Sequence, residues 1–407
     1  MSTTPSELLH PQAGREVARL GWLDALRGIA AVAVAIHHST FVYTPQTRAA
    51  VLGWFNPGVW GVMVFFLVSG YIIPASLERH GSVRRFWVSR LFRIYPLWIV
   101  AAVALLLLAA VGVSQVRGEL YRFDPVTAVL AHATMMQDLL AVPNAVNVLW
   151  TLSYEMAFYL VVVGLFAVRW HGRSVSLVAV CTAGGVVLGF LGPVLLLSGS
   201  AGAPAAVAVT TLVMVAAIGS AYVSRPALRR AGMLAGGGLA LVLVILNGRL
   251  SPWFGLSILA VMFSGTVLHR AENGTVRWRT AVLVCAGVLA VTVAQGWWHP
   301  EEVEGGPVSW TVSLVLVAVT FGAGMGLRHR RVPGWLARLG MMSFSVYLLH
   351  PLLLKVSDAT VGRWRDYDNP VPLVVFLAIL LPVCWATYRF VEKPMQRRGR
   401  ELARRMS

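Results

Sequence analysis

The chain has 407 residues, of which 57% are hydrophobic and only 13% charged, about half the charged share of an ordinary soluble domain. That composition excludes a single water-soluble domain. The formal net charge of +17 does not argue for nucleic acid here, because in a chain this apolar the basic residues mark loops held on the cytoplasmic side by anionic lipid.

Apolar blocks of about 18 to 25 residues, each long enough to cross a bilayer as a helix, fall near residues 22–42, 57–77, 90–113, 148–169, 174–198, 203–223, 232–247, 251–270, 278–296, 308–327, 338–356 and 371–391. The expected fold is therefore all-α, a polytopic transmembrane helix bundle. The first block follows about twenty more polar residues, opens with Asp24 and Arg27 and lacks a small-residue cleavage site, so it is expected as a retained span and not a signal peptide. The seventh is short enough to suit a re-entrant segment. Cys181, Cys285 and Cys384 all fall in apolar segments, as packing residues do, and imply no disulfide or metal framework.

With the N-terminus inside, twelve crossings put most Lys and Arg in cytoplasmic segments, while the acidic run Glu301, Glu302 and Glu304 falls outside. The positive-inside rule then places both termini in the cytoplasm. The expected organisation is a cytoplasmic segment over 1–20, one membrane domain over 21–391 and a basic cytoplasmic tail over 392–407. The long outer connection, roughly 114–147, carries an amphipathic stretch at Ala131–Leu140 expected to lie along the interface or dip into it.

A charge inside a span costs several kcal/mol, about 2.5 or more, and needs a partner or a function. Arg27 and His38, eleven residues apart, lie about 20° apart around the helix and about 16 Å apart along it. They share a face, whereas His37 is turned away. Glu155 in the fourth span comes to about the depth of His38, which makes the two a candidate catalytic pair. The carboxylate would orient an imidazole acting as general base toward a hydroxyl. Arg90 and Arg93, three residues apart after Arg84 and Arg85, suit the phosphates of a nucleotide-bearing donor. Taken singly, each has a plainer explanation: an interfacial histidine, a structural Asp24–Arg27 pair, basic anchoring of a span. The constellation carries the argument.

Six stretches in order then resemble the acyltransferase 3 family of integral membrane O-acyltransferases. They are Leu23–Gly28 continuing to His38, Phe65–Tyr71, Arg90–Pro96, Trp150–Glu155 with Phe158 and Tyr159, Ser343–His350, and Tyr388–Pro394. The resemblance implies ten or eleven spans against the twelve counted. It also implies an acyl-CoA donor, with acetyl-CoA favoured, and no metal. The family's arginine–ten residues–histidine motif falls on Arg27 and His38, and its paired arginines, associated with coenzyme A, on Arg90 and Arg93. The fourth-span motif departs from the commonest form, with Met156 and Ala157 where many relatives carry a second acidic residue and a glutamine. Glu155 is left as its single carboxylate, and the wording resembles the exopolysaccharide-modifying branch.

The resulting expectation is transfer of an acyl group to a hydroxyl of a glycan or glycolipid at the plasma membrane. The donor's phosphates would lie near Arg90, Arg93 and Arg27, with His38 as general base or as a relay of the acyl group itself. The chain would act alone, as an oligomer or with a partner protein, since the sequence shows no extracytoplasmic hydrolase-like domain. A secondary metabolite such as a macrolide is the alternative acceptor. A multi-span transporter is the rival class, disfavoured because the two halves show no repeat and the intramembrane charges concentrate in the first four spans.

Overall fold

The computed structural model describes residues 10–113, 118–191, 195–200, 202–362 and 367–406. The beginning of the N-terminal segment and parts of the outer connection and of the fifth span lie outside these residues. Among the described residues there is no strand. The chain runs through α1 (His10–Tyr43), α2 (Pro45–Leu52), α3 (Pro57–His80), α4 (Val83–Ala110), α5 (Pro125–Ala133) and α6 (Trp150–Ala167). It continues through α7 (Ser174–Leu188), α8 (Leu196–Ser200), α9 (Ala203–Ser220), α10 (Pro226–Leu246), α11 (Pro252–Glu272) and α12 (Trp278–Trp298). The last elements are α13 (Gly306–Gly326), α14 (Gly334–Met341), α15 (Ser343–Val361), α16 (Pro370–Thr387) and α17 (Lys393–Arg405).

Eleven of the described helical stretches are long and apolar enough to cross a membrane, or twelve if α14 and α15, bent by 65° at their junction, count as one. The protein is thus a multi-pass membrane bundle. Many helices start by the same local rule, a short polar cap followed by proline in the first turn. The Asn56 side chain accepts from Val59 N–H at 3.0 Å ahead of Pro57, and Asp124 accepts from Thr127 N–H at 2.9 Å ahead of Pro125. α2 lacks a side-chain cap of its own at Thr44. Asp368, from the far end of the chain, accepts instead from Gln46 and Thr47 N–H at 2.8 and 2.9 Å.

The helices near the centre are α6 and α11, each with 83% of its most apolar window buried, against 17–33% for the peripheral α4, α7, α9, α10, α12 and α16. α11 crosses α3 backbone to backbone at Gly70 and Gly265: a Cβ on Gly70 would strike the Met262 carbonyl, and one on Gly265 the Leu67 carbonyl. α1 rests on α14 in the same way, since a Cβ on Gly28 would stand 2.7 Å from the Gly340 amide nitrogen. Close approach of this kind is how spans associate where lipid removes the hydrophobic drive.

The third span begins earlier than hydropathy suggests. Ser82 caps α4 by accepting from Arg85 N–H at 3.4 Å, so Arg90 and Arg93 lie two to three turns inside a helix. The stretch around Ala131–Leu140 is buried in protein, with Ala131, Met136, Gln137, Leu139 and Leu140 fully covered. Several of its polar groups pair with one another: Gln137 Nε2 donates to Asn144 Oδ1 at 3.0 Å, and Asn144 Nδ2 to Asp138 Oδ1 at 2.8 Å. Asn247 of α10 pins it by donating to Leu139 O at 2.9 Å. Irregular backbone at membrane depth is tolerated on those terms alone. The basic tail is a helix, α17, continuous with α16 through a π-helical turn at Tyr388–Glu392, and its Gly399 packs on Phe92 of α4.

At the end opposite the arginine-rich loops, half-buried Glu304 clasps three elements. It accepts from Arg48 at 2.5 Å and from Asn56 Nδ2 at 3.0 Å, and lies 3.4 Å from His37 Nε2. Its carboxyl is pulled from an ordinary 4.5 down to about 2, chiefly by the His37 hydrogen bond, with Asn56 and Arg48 adding to it against partial burial. A depressed carboxyl stabilises the fold above its unfolded pKa and loses that contribution as pH falls through the folded value. Thermal stability in detergent should therefore fall between about pH 4.5 and pH 2 more steeply for the wild type than for Glu304→Gln; parallel pH profiles would contradict the clasp. Gly265→Ala should cost about 1–3 kcal/mol by overpacking the α3–α11 crossing. Gly238→Ala, where a Cβ meets nothing within 4 Å, should be neutral or stabilising by about 0.5–1 kcal/mol. Equal melting temperatures for the two variants would refute the assigned crossing.

Candidate active site

The polar interior is built from α1, α4, α6, α15 and the π-helical turn. Arg27 of α1, Arg93 of α4 and Glu155 of α6 line one narrow cavity of about 60 Å³, together with Ser69, Phe65 and Tyr347. Arg27 also lies 3.7 Å from Asp24 Oδ1. Glu155 accepts from the Tyr159 hydroxyl at 2.6 Å. Glu392, buried in the π-helical turn, accepts from Ser345 Oγ and faces Arg93 and Arg27 electrostatically. Two guanidinium groups and three carboxylates, Asp24, Glu155 and Glu392, thus compensate one another where lone charges would be costly.

The paired arginines of α4 part company. Three residues advance the helix by about 300°, leaving their directions about 60° apart, and that is enough to send Arg90 elsewhere. Its guanidinium sits between the rings of Phe86 and Tyr159, 5.4 Å from each. It lines a second cavity of about 240 Å³ with Arg85 and Arg400, and its Nε has no hydrogen-bond partner.

His38 has a different partner from the one expected. Its Nδ1 lies 2.8 Å from Nε2 of His350 in α15, and the two rings are nearly coplanar and edge to edge, 14° apart with centroids 5.1 Å apart. His350 Nδ1 is 2.9 Å from the Val346 carbonyl. A carbonyl only accepts, so His350 Nδ1 carries the proton and its Nε2 holds the lone pair. His38 Nδ1 must then donate to it, and a neutral His38 presents its own lone pair on Nε2. Two neighbouring contacts fix which nitrogen of His38 is basic. Glu155 does not meet His38: it is turned toward Tyr159 and shares the cavity of Arg27 and Arg93, because where its side chain ends up is set by how α6 packs and not by residue count alone.

Tyr347 joins the two polar regions. Its hydroxyl contacts Thr151 Oγ1 at 2.7 Å and Val148 O at 3.1 Å, it lines the arginine cavity, and its ring lies 6.2 Å from His350. Sequence reasoning assigned no role to His350, Tyr347 or Glu392, although all three stand in the recognised stretches. The available signal was a histidine in the middle of an apolar span, the same signal that singled out His38. His37 faces Glu304, consistent with its separate direction on α1. One group of ligand-type residues, His299, Glu301 and Glu302, has donor atoms within 4.8 Å of one another on the connection before α13. Glu302 is already engaged there by Ser251 Oγ at 2.5 Å and Trp253 Nε1 at 3.0 Å, and the group belongs to neither polar region.

The chain is similar to several known proteins. Nodulation protein 10 of Rhizobium leguminosarum bv. viciae is 33% identical over 143 residues, 31% of this chain and 39% of that protein. The putative peptidoglycan O-acetyltransferase YrhL of Bacillus subtilis is 28% identical over 186 residues, 40% of this chain and 27% of that protein. The peptidoglycan O-acetyltransferase OatA of Listeria monocytogenes is 27% identical over 153 residues, 34% of this chain and 23% of that protein. The chain therefore spans well under half the length of these relatives. No solved structure matches significantly. The profile described as an acyltransferase domain matches residues 20–389, a stretch that runs from within α1 through α16 and contains both histidines and the arginine cavity, and the chain belongs to the acyltransferase 3 family.

Proposed function

We propose that the protein is a membrane O-acyltransferase that moves an acyl group, acetyl by preference, from acyl-CoA to a hydroxyl of a glycan or glycolipid. The observation that carries this reading is the His38–His350 pair, whose hydrogen-bond chain leaves a basic nitrogen on the same face of α1 as Arg27. The names of two relatives as peptidoglycan O-acetyltransferases support a glycan acceptor. The bundle sits in the plasma membrane with its arginine-rich end, and both termini, on the cytoplasmic side. The donor enters there and its thioester reaches His38 past Arg27 and Arg93.

In the transfer step, the acceptor oxygen attacks the thioester carbonyl carbon while His38 Nε2 takes the hydroxyl proton. His350 holds the imidazole in register and accepts from Nδ1–H as His38 becomes charged. Collapse of the tetrahedral intermediate forms the ester and breaks the C–S bond. The coenzyme A thiolate leaves and takes the proton back from His38. Glu155 and Glu392 keep Arg27 and Arg93 in place along the donor's path, so Glu155 serves as a positioning residue and His38 as the base.

Turnover of labelled acetyl-CoA by protein in nanodiscs tests this. His38→Ala should lose about 10²–10⁴-fold, whereas His37→Ala should stay near wild type. His350→Gln, which offers an amide oxygen to His38 Nδ1–H, should keep far more activity than His350→Phe. Full activity in His38→Ala would remove the base, and equal activity in the two His350 variants would remove its partner. Glu155→Gln should weaken the donor KM more than kcat; a loss confined to kcat at matched folding would return Glu155 to the chemistry.

A further inference from the structure

Below Arg90, toward the basic end, the 240 Å³ cavity opens beside a second one of about 780 Å³. They share His80, Ser82 and Arg85 as a common wall, so together they form one trough. Arg84, Arg169, Arg229 and Arg230 line the larger part, and Arg90, Arg400 and Arg404 the smaller. Among the described residues, no carboxylate lines either part. Two acidic residues near this end, Glu78 and Glu272, are engaged elsewhere, with Arg270 at 2.7 Å and Arg328 at 3.1 Å.

Basic residues at this end are what membrane topology alone would supply, but topology asks only for charge near the surface. It does not ask for arginines gathered into a concave wall from α4, α10, α17 and the turn after α6. Nor does it ask for Arg90 to be 94% covered, at 6% relative exposure, with an unpartnered Nε facing inward. The wall is also preorganised. Arg84 Nε donates to Ala221 O at 2.7 Å, and α17 is seated by Gly399 on Phe92 with Ala403 buried, which brings Arg400 and Arg404, one turn apart, to the cavity.

We infer that this trough is the nucleotide subsite of the acyl donor, and that the C-terminal helix α17 is one of its walls; the inference rests on the acyl-CoA reading above. The pyrophosphate lies in the smaller part among Arg85, Arg90 and Arg400, nearest the inner cavity. The 3′-phosphate of the adenosine lies in the larger part against Arg229 and Arg230. Planar guanidinium forks suit doubly charged phosphates. Arg27 and Arg93, already balanced by carboxylates, face the uncharged pantetheine arm. From Arg27, which shares a cavity with Arg93, to His38 the arm follows about 16 Å of α1, a span that a long flexible thioester is built to bridge.

Binding of coenzyme A and of dephospho-coenzyme A to the full-length protein in nanodiscs distinguishes the parts. The wild type should bind coenzyme A at least tenfold more tightly than the dephospho form. Arg229→Ala with Arg230→Ala should abolish that difference, while Arg85→Ala and Arg400→Ala should each weaken both ligands about tenfold. Arg331→Ala, at the same end but outside the trough, controls for general charge. Arg→Lys versions with unchanged elution profiles guard against misfolding. Unaltered affinities in all trough variants, with acetyl-CoA turnover intact, would overturn the subsite and leave the acyltransferase reading standing. Loss of co-purifying phosphatidylglycerol with coenzyme A binding unchanged would reassign the trough to lipid headgroups. A wild type that neither binds nor consumes a coenzyme A thioester would remove the reading itself.

Discussion

A charged group inside a bilayer must find its opposite within reach, and much of this structure follows from that demand. Arg27 and Arg93 stand in the same narrow cavity, and Asp24, Glu155 and Glu392 are brought to them from three different elements. Asp24 stands three residues before Arg27 on the same helix, whereas Glu155 and Glu392 belong to elements distant in the chain. Glu392 reaches inward where a π-helical turn interrupts the join between α16 and α17, and such single wide turns often occur at functional sites. The buried stretch before α6 obeys the same constraint by linking the Gln137 and Asn144 amides to the Asp138 carboxyl.

The histidine pair works by a related logic, in which backbone decides chemistry. The Val346 carbonyl sets the tautomer of His350, which sets that of His38. Two hydrogen-bonded neutral imidazoles orient the proposed base without placing another full charge in the membrane. A carboxylate in the same position would stabilise the imidazolium more strongly but would require a further compensating cation. The protein instead separates its roles, gathering ion pairs around Arg27 and Arg93 and leaving a neutral chain at His38.

Much of the fold was legible in the sequence because hydropathy at a 20-residue scale reports directly on span existence. The bend between α14 and α15 was not legible, since it arises where Gly340 allows α14 to rest on the Asp24 backbone, a contact between distant parts of the chain. Helical spacing correctly separated the surroundings of His37 and His38, because both residues lie on one helix. It failed for Glu155 because its direction depends on how α6 is rotated against α1 and α4. Arg90 and Arg93 were read as one site on spacing, and the 60° between them proved large enough to divide two cavities. His350 was visible as a histidine in an apolar span, but its pairing with His38 joins residues more than 300 positions apart, beyond anything a local pattern encodes.

The most direct test of the account is a structure of the protein in nanodiscs with a non-hydrolysable thioether analogue of acetyl-CoA bound. The account predicts the acyl carbonyl carbon beside Nε2 of His38, the arm running past Arg27 and Arg93, and His350 still accepting from Nδ1. An acyl group lodged away from His38, or a His38 ring turned so that Nε2 meets His350, would contradict it.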